Sequence, residues 1–198
     1  MTKPLSELLA TAAERSVPVV RGISDEQLGH PTPCSEYDVK AVADHLFQVV
    51  VNFQALAAKQ DADFSAAPDR VGHGDWRTAF ADETAALVRA WAAPGAEEGT
   101  SGTMGMPAGL VGRMALGDLT VHAWDLARAT GQQYTPDPIV VGDVLVAFGE
   151  LAPTGRRMGA FGAEFPLPAD GVGASDFDRL LAVTGRDPGW RGPLGVPS

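Results

Sequence analysis

Cysteine is almost absent from the 198-residue chain, with Cys34 as its only example. An intramolecular disulfide and a cysteine-rich zinc site are therefore excluded. The composition fits a reducing compartment, so a cytoplasmic location is expected. Basic residues are also scarce, with Lys+Arg at 15 against Asp+Glu at 25 and a formal charge of −10. The resulting pI near 4.7 argues against nucleic acid or an anionic membrane as the partner, because both are polyanions. Long apolar runs are missing too: no uncharged stretch reaches the ~18 residues of a membrane span. Lys3, Glu7, Glu14 and Arg15 interrupt the opening MTKPLSELLATAAER, so no secretory core is expected there. Histidine is limited to His30, His45, His73 and His122. A chain of this length buries a full core without covalent or metal staples.

What is present is helical periodicity punctuated by 23 glycines and 15 prolines. Leu5, Leu8, Leu9, Ala12 and Ala13 predict a first helix from Pro4 to Val20, with Pro18 ending or kinking it. Ser35 and Asp38 read as a shortened capping box. They open a second helix that runs to Lys59, striped by Val39, Val42, Leu46, Val49, Val50 and Phe53. A third helix is expected from Trp76 to Trp91, followed by a Gly-rich loop over 94–106. The fourth, Pro107 to Thr130, is the most apolar, and Gly131 is placed to end it. A fifth runs from Ile139 to Leu151, and a short one from Ser175 to Thr184 takes Ser175 as its N-cap. No period-two alternation supports a sheet. The expected class is all-α, with residues 1–151 as a helix bundle. Residues 152–198 form an irregular arm packed on it within the same domain, anchored by Trp190.

The fourth helix carries polar groups where an apolar face is expected. With Met114 at zero, Asp118, His122 and Asp125 fall at about 40°, 80° and 20°, on one face with Val111 and Val121. The opposite face offers Leu116, Thr120, Ala123 and Ala127, so this helix has no solvated side and is expected to be buried. A buried carboxylate must be neutralised or meet a cation, and this face supplies no Lys or Arg. A structural ion pair or hydrogen-bonded histidine is one answer. A divalent metal is the other, since Asp118 and His122 stand one turn apart as paired helical ligands do. His45 lies at the margin of the second helix's apolar stripe, about 80° from its centre, and can reach a neighbouring helix from there. Two histidines and a carboxylate leave a metal at least one open position. Asp125 would then orient a ligand imidazole or accept a proton. His30 and His73 lie in loops beside chain breakers and are not expected to take part. Cys34 precedes the second helix, where a helix dipole would lower a thiol pKa, or it packs as a small hydrophobe. Trp124 is read as packing. The GTSGTMGMPAG loop (99–109) lacks a P-loop ending and is read as a connection.

TPCSEYDVKAVADHL (32–46), DLTVHAWDLARATG (118–131) and LLAVTGRDPGW (180–190) together resemble the mycothiol-dependent maleylpyruvate isomerase metal-binding domain family. The likeness is greatest to its short actinobacterial branch, within the wider DinB-like superfamily. It implies a DinB-like four-helix bundle holding one divalent metal on His45, Asp118 and His122, with Asp125 as the acid of an H-x-x-D pattern. Zinc is the foremost ion, with nickel, iron or manganese as alternatives, and mycothiol is the implied co-substrate. Two departures stand out: the isomerase has Glu where this chain has Asp118, and it carries a second, C-terminal domain. Maleylpyruvate isomerisation itself is therefore not carried over.

The expected function is a divalent-metal-binding protein, a thiol-dependent S-transferase or isomerase acting on a small electrophile. The alternatives are a metal-dependent hydrolase and a non-catalytic binding or sensory module with a vestigial site. The expected partners are the electrophile and a low-molecular-weight thiol, with a second copy of the chain as a further candidate and neither nucleic acid nor membrane.

Overall fold

A computed structural model describes residues 3–65, 69–103, 105–159, 161–168 and 173–192. The helices are α1 (Leu5–Arg21), α2 (Val39–Ala57), α3 (Trp76–Trp91), α4 (Ala108–Thr130), α5 (Pro138–Arg157) and α6 (Asp176–Val183). α1 and α2 each pack against both α3 and α4, which makes a four-helix bundle of the all-α, DinB-like type. α5 lies on the outer side of α4, and α6 lies on α5.

α4 is the hub, and every residue from Leu119 to Ala127 is buried. Two glycines let its neighbours approach. A Cβ at Gly112 would meet Leu5 and Trp91, and one at Gly117 would stand inside the Phe148 ring of α5. Arg113 ties α4 to α5 through Asp143, donating from Nε and Nη2 at 2.7 and 3.2 Å. Between α2 and α3 the rings of Phe47 and Phe80 meet edge to face, centroids 5.4 Å apart.

Helix ends depart from expectation at three places. α1 continues through Pro18 to Arg21, and α5 continues past Leu151 through Pro153 to Arg157. Both prolines sit on exposed faces. Water can therefore take the carbonyls they leave unbonded, while burial of Val19, Val20 and Ala152 holds the final turns in place. α2 is capped by Asp38 and not by Ser35: the Asp38 carboxylate accepts from the Ala41 amide at 2.8 Å. Ser35 lies upstream, in a turn closed by the Tyr37 amide donating to the Cys34 carbonyl. α3 begins and ends as the periodicity predicts, Gly131 ends α4 at φ 72°, and Ser175 caps α6 with Asp178 reciprocating.

The Gly-rich loop contains one small irregularity, a hairpin pairing β1 (Thr100–Ser101) with β2 (Met106–Pro107). Two-residue strands are too short to leave a period-two signature. Their turn relies on Gly102 and Gly105, at φ 75° and 61°. Among the described residues, α5 matches a membrane span by length and composition. Its Val140, Val141, Val144, Ala147 and Phe148 are instead buried within this fold.

Candidate metal centre

The packing of α2 on α4 brings His45 to the exposed edge of the Asp118–His122 turn. The His45 and His122 rings meet at 77°, centroids 5.0 Å apart. One ligand atom from each of His45, Asp118 and His122 lies within 4.8 Å of the other two. His122 is 6% exposed, while His45 and Asp118 are half-buried.

The protonation pattern follows from the partners. Asp125 is fully buried at 0% exposure, and its Oδ2 lies 2.9 Å from His122 Nδ1. An ionised carboxylate only accepts, so Nδ1 is the donor and Nε2 is the nitrogen left for a ligand. Nε2 stands 3.8 Å from Asp118 Oδ1, beyond hydrogen-bond reach. Two ligand atoms around a tetrahedral zinc ion lie about 3.4 Å apart, from metal–ligand distances near 2.1 Å. The gap thus suits two donors facing a shared cation better than a direct bond between them. Burial pushes the proton affinity of His45 down, and the neighbouring His122 adds to this against the opposing pull of Asp118. A neutral imidazole is the form that ligates a metal.

The sequence reading missed Arg186. The base that α4 carries one turn on, Arg128, lies over the Trp124 ring, 5.9 Å from its centroid, and the stretch after α6 supplies the partner of the acid: Arg186 Nη2 donates to Asp125 Oδ2 at 3.2 Å. Nη1 donates to the Thr184 carbonyl at 2.8 Å. Burial works against the guanidinium charge, yet Asp125, Cys34 and Asp118 outweigh it and leave its pKa raised. Gly185 takes φ 83° at the end of α6, and the Arg186 amide donates back to the Leu181 carbonyl at 2.8 Å, which fixes the approach. The signal was available, since a buried acid without a local partner requires one from elsewhere in the chain. The expectation for this stretch named only Trp190, as the anchor of the arm. Trp190 does pack against the core, as expected.

The remaining candidates lie elsewhere. His30 Nδ1 sits 3.3 Å from the Ala129 carbonyl, and exposed His73 pairs with Asp69 at 3.6 Å. Trp124 is buried against Phe177. Cys34 shares a cavity with the triad, but α2 starts only at Val39, too far on for its dipole to act on the thiol. Burial pushes the thiol pKa up, and Arg186 only partly offsets this.

His45, Asp118, His122 and Arg186 all line a cavity of about 820 Å³. Asp125 is not on its wall, so its contact with the site runs through His122 and Arg186. The arrangement offers two nitrogens and a carboxylate around an accessible position, with a carboxylate–arginine pair behind them.

Comparison with known proteins places the chain among relatives. Two uncharacterized proteins, from two strains of Mycobacterium tuberculosis, are each 34% identical to the chain over 176 residues, covering 85% of it and 90% of their own length. No solved structure matches. The family model described as mycothiol maleylpyruvate isomerase N-terminal domain matches residues 9–127, a span that holds His45, Asp118, His122 and Asp125 and stops short of Arg186. By this match over more than half its length, the chain belongs to the mycothiol maleylpyruvate isomerase N-terminal domain family.

Proposed function

We propose that His45, Asp118 and His122 hold one divalent cation, with zinc foremost, and that the protein is a thiol S-transferase or thiol-dependent isomerase acting on a small electrophile. The observation that carries this reading is the approach of three ligand atoms to within 4.8 Å on the wall of a cavity. Imidazole with carboxylate suits zinc, iron or nickel. A bound ion of this kind with an open position lowers the pKa of a coordinating thiol and supplies a thiolate at neutral pH. The family makes mycothiol the natural thiol.

The chain's own groups prepare the site. Asp125 holds the Nδ1 proton of His122 and so aims Nε2 at the cavity. Arg186 donates to the same carboxylate oxygen and holds it in place. Burial, and after it the neighbouring His122, lowers the pKa of His45 and so favours the neutral imidazole that can ligate. In transfer, the thiol sulfur forms a bond to the electrophilic carbon, the leaving group departs with its electron pair, and the thiol proton passes to water. In isomerisation the same sulfur adds to an activated double bond and leaves after rotation about it. Asp125 acts as a positioning residue in both.

The test is elemental analysis of protein purified without an affinity tag, paired with consumption of 1-chloro-2,4-dinitrobenzene with and without thiol. About one equivalent of divalent metal in the parent, little in His122→Ala, and thiol-dependent consumption are expected. Near-zero metal in both proteins overturns the metal reading. Metal-dependent turnover that ignores the thiol marks a hydrolase.

A further inference from the structure

The cavity does not end at the triad. Its wall, drawn largely from α2, α4 and α5, also includes Val49, Phe53, Val111, Phe148, Leu151 and Phe161. At about 820 Å³ it matches pockets that enclose a drug-sized ligand. Charge on its wall is sparse. Among the described lining residues the ionised groups apart from the histidines are Glu36, Asp118 and Arg186. Arg186 already donates to Asp125 and to the Thr184 carbonyl. A dicarboxylate, the charge type that a maleylpyruvate-like substrate carries, could meet the proposed cation with one carboxylate, but beyond it the described lining offers only Arg186, which is already committed. Its second carboxylate would be desolvated beside aromatic and aliphatic side chains with no cation to meet it.

We infer that the site takes a neutral, apolar electrophile, aromatic or long-chain, whose body lies along the α4–α5 wall while its reactive end reaches His45, Asp118 and His122. The inference rests on the proposed metal–thiol reading for the chemistry, and on the shape and charge of the cavity for the specificity. Val111 and Met114 precede Asp118 by seven and four positions on α4, so these apolar lining groups share one face of that helix with Asp118 and His122, the two members of the triad that it carries. A ligand that fills the apolar part of the cavity is thereby oriented with one end at the triad.

Binding of N-phenyl-1-naphthylamine, a neutral fluorescent probe, tests the specificity without turnover. Saturable binding to the full chain is expected, displaced by 1-octanol and unaffected by maleate at the same concentration. Val111→Trp fills the apolar part of the cavity and Leu151→Glu places a charge on its wall, and each weakens probe binding at least tenfold while helical circular dichroism is kept. His122→Ala retains probe binding within about threefold, because the apolar wall is intact. Absence of saturable binding in the parent, displacement by maleate as effective as by 1-octanol, or indifference to both wall variants overturns the inference. A parent that binds the probe but no divalent metal overturns the metal reading alone and leaves the apolar specificity standing.

Discussion

Asp125 has two donors on one oxygen, His122 Nδ1 and Arg186 Nη2, and its Oδ1 has no hydrogen-bond partner among the described residues. Such a carboxylate depends on its partners, since an uncompensated buried charge costs several kcal/mol. Arg186→Ala is expected to destabilise the protein by about 3–5 kcal/mol in urea unfolding, because it strands Asp125. Pairing Arg186→Leu with Asp125→Asn removes the stranded charge, and this double variant is expected to recover at least half of that loss. A single variant as stable as the parent would show that the pair does not carry this weight. Metal content separates stability from positioning: on the proposed metal reading, losing the partner of a ligating histidine typically weakens metal affinity 10–100-fold, so the recovered double variant is expected to take up divalent metal poorly.

Helix boundaries turned on which polar side chain meets the first free amides. Ser35 and Asp38 both suit an N-cap by type, and the spacing to the apolar stripe allows either. In the fold, Asp38 sits in extended backbone directly before Val39 and reaches the Ala41 amide. Asp38→Ala is therefore expected to cost about 1 kcal/mol of unfolding free energy, and Ser35→Ala to stay within about 0.5 kcal/mol. Equal costs would restore Ser35 as the cap. The prolines in α1 and α5 teach a related lesson. Pro18 and Pro153 are tolerated because they face solvent and the turns beyond them are anchored in the core. That condition is invisible until the packing face of each helix is known.

Across the whole molecule the triad joins α2 to α4, so a bound ion would cross-link two helices that already pack together. Stabilisation by such a ligand follows mass action, about 2.7 kcal/mol at a hundredfold excess over Kd. For a chain of this size that corresponds to roughly 5–10 °C in Tm. Zinc added to chelator-treated protein is expected to raise Tm by that amount, and His45→Asn or Asp118→Asn to abolish the shift while leaving the metal-free Tm within a few degrees. A shift that survives in both variants would place the ion elsewhere. The six helices and the pairing of Asp118 with His122 were readable from residue order, because periodicity, capping and one-turn spacing are properties of neighbouring residues. The partnership of Arg186 with Asp125 was not, nor was the apolar part of the cavity. Those two positions stand 61 residues apart, and the cavity draws its wall from helices far apart in the chain. Contacts of that kind exist only once α6 has docked on α5 and α5 on α4, and no local pattern of side chains encodes the direction from which they arrive.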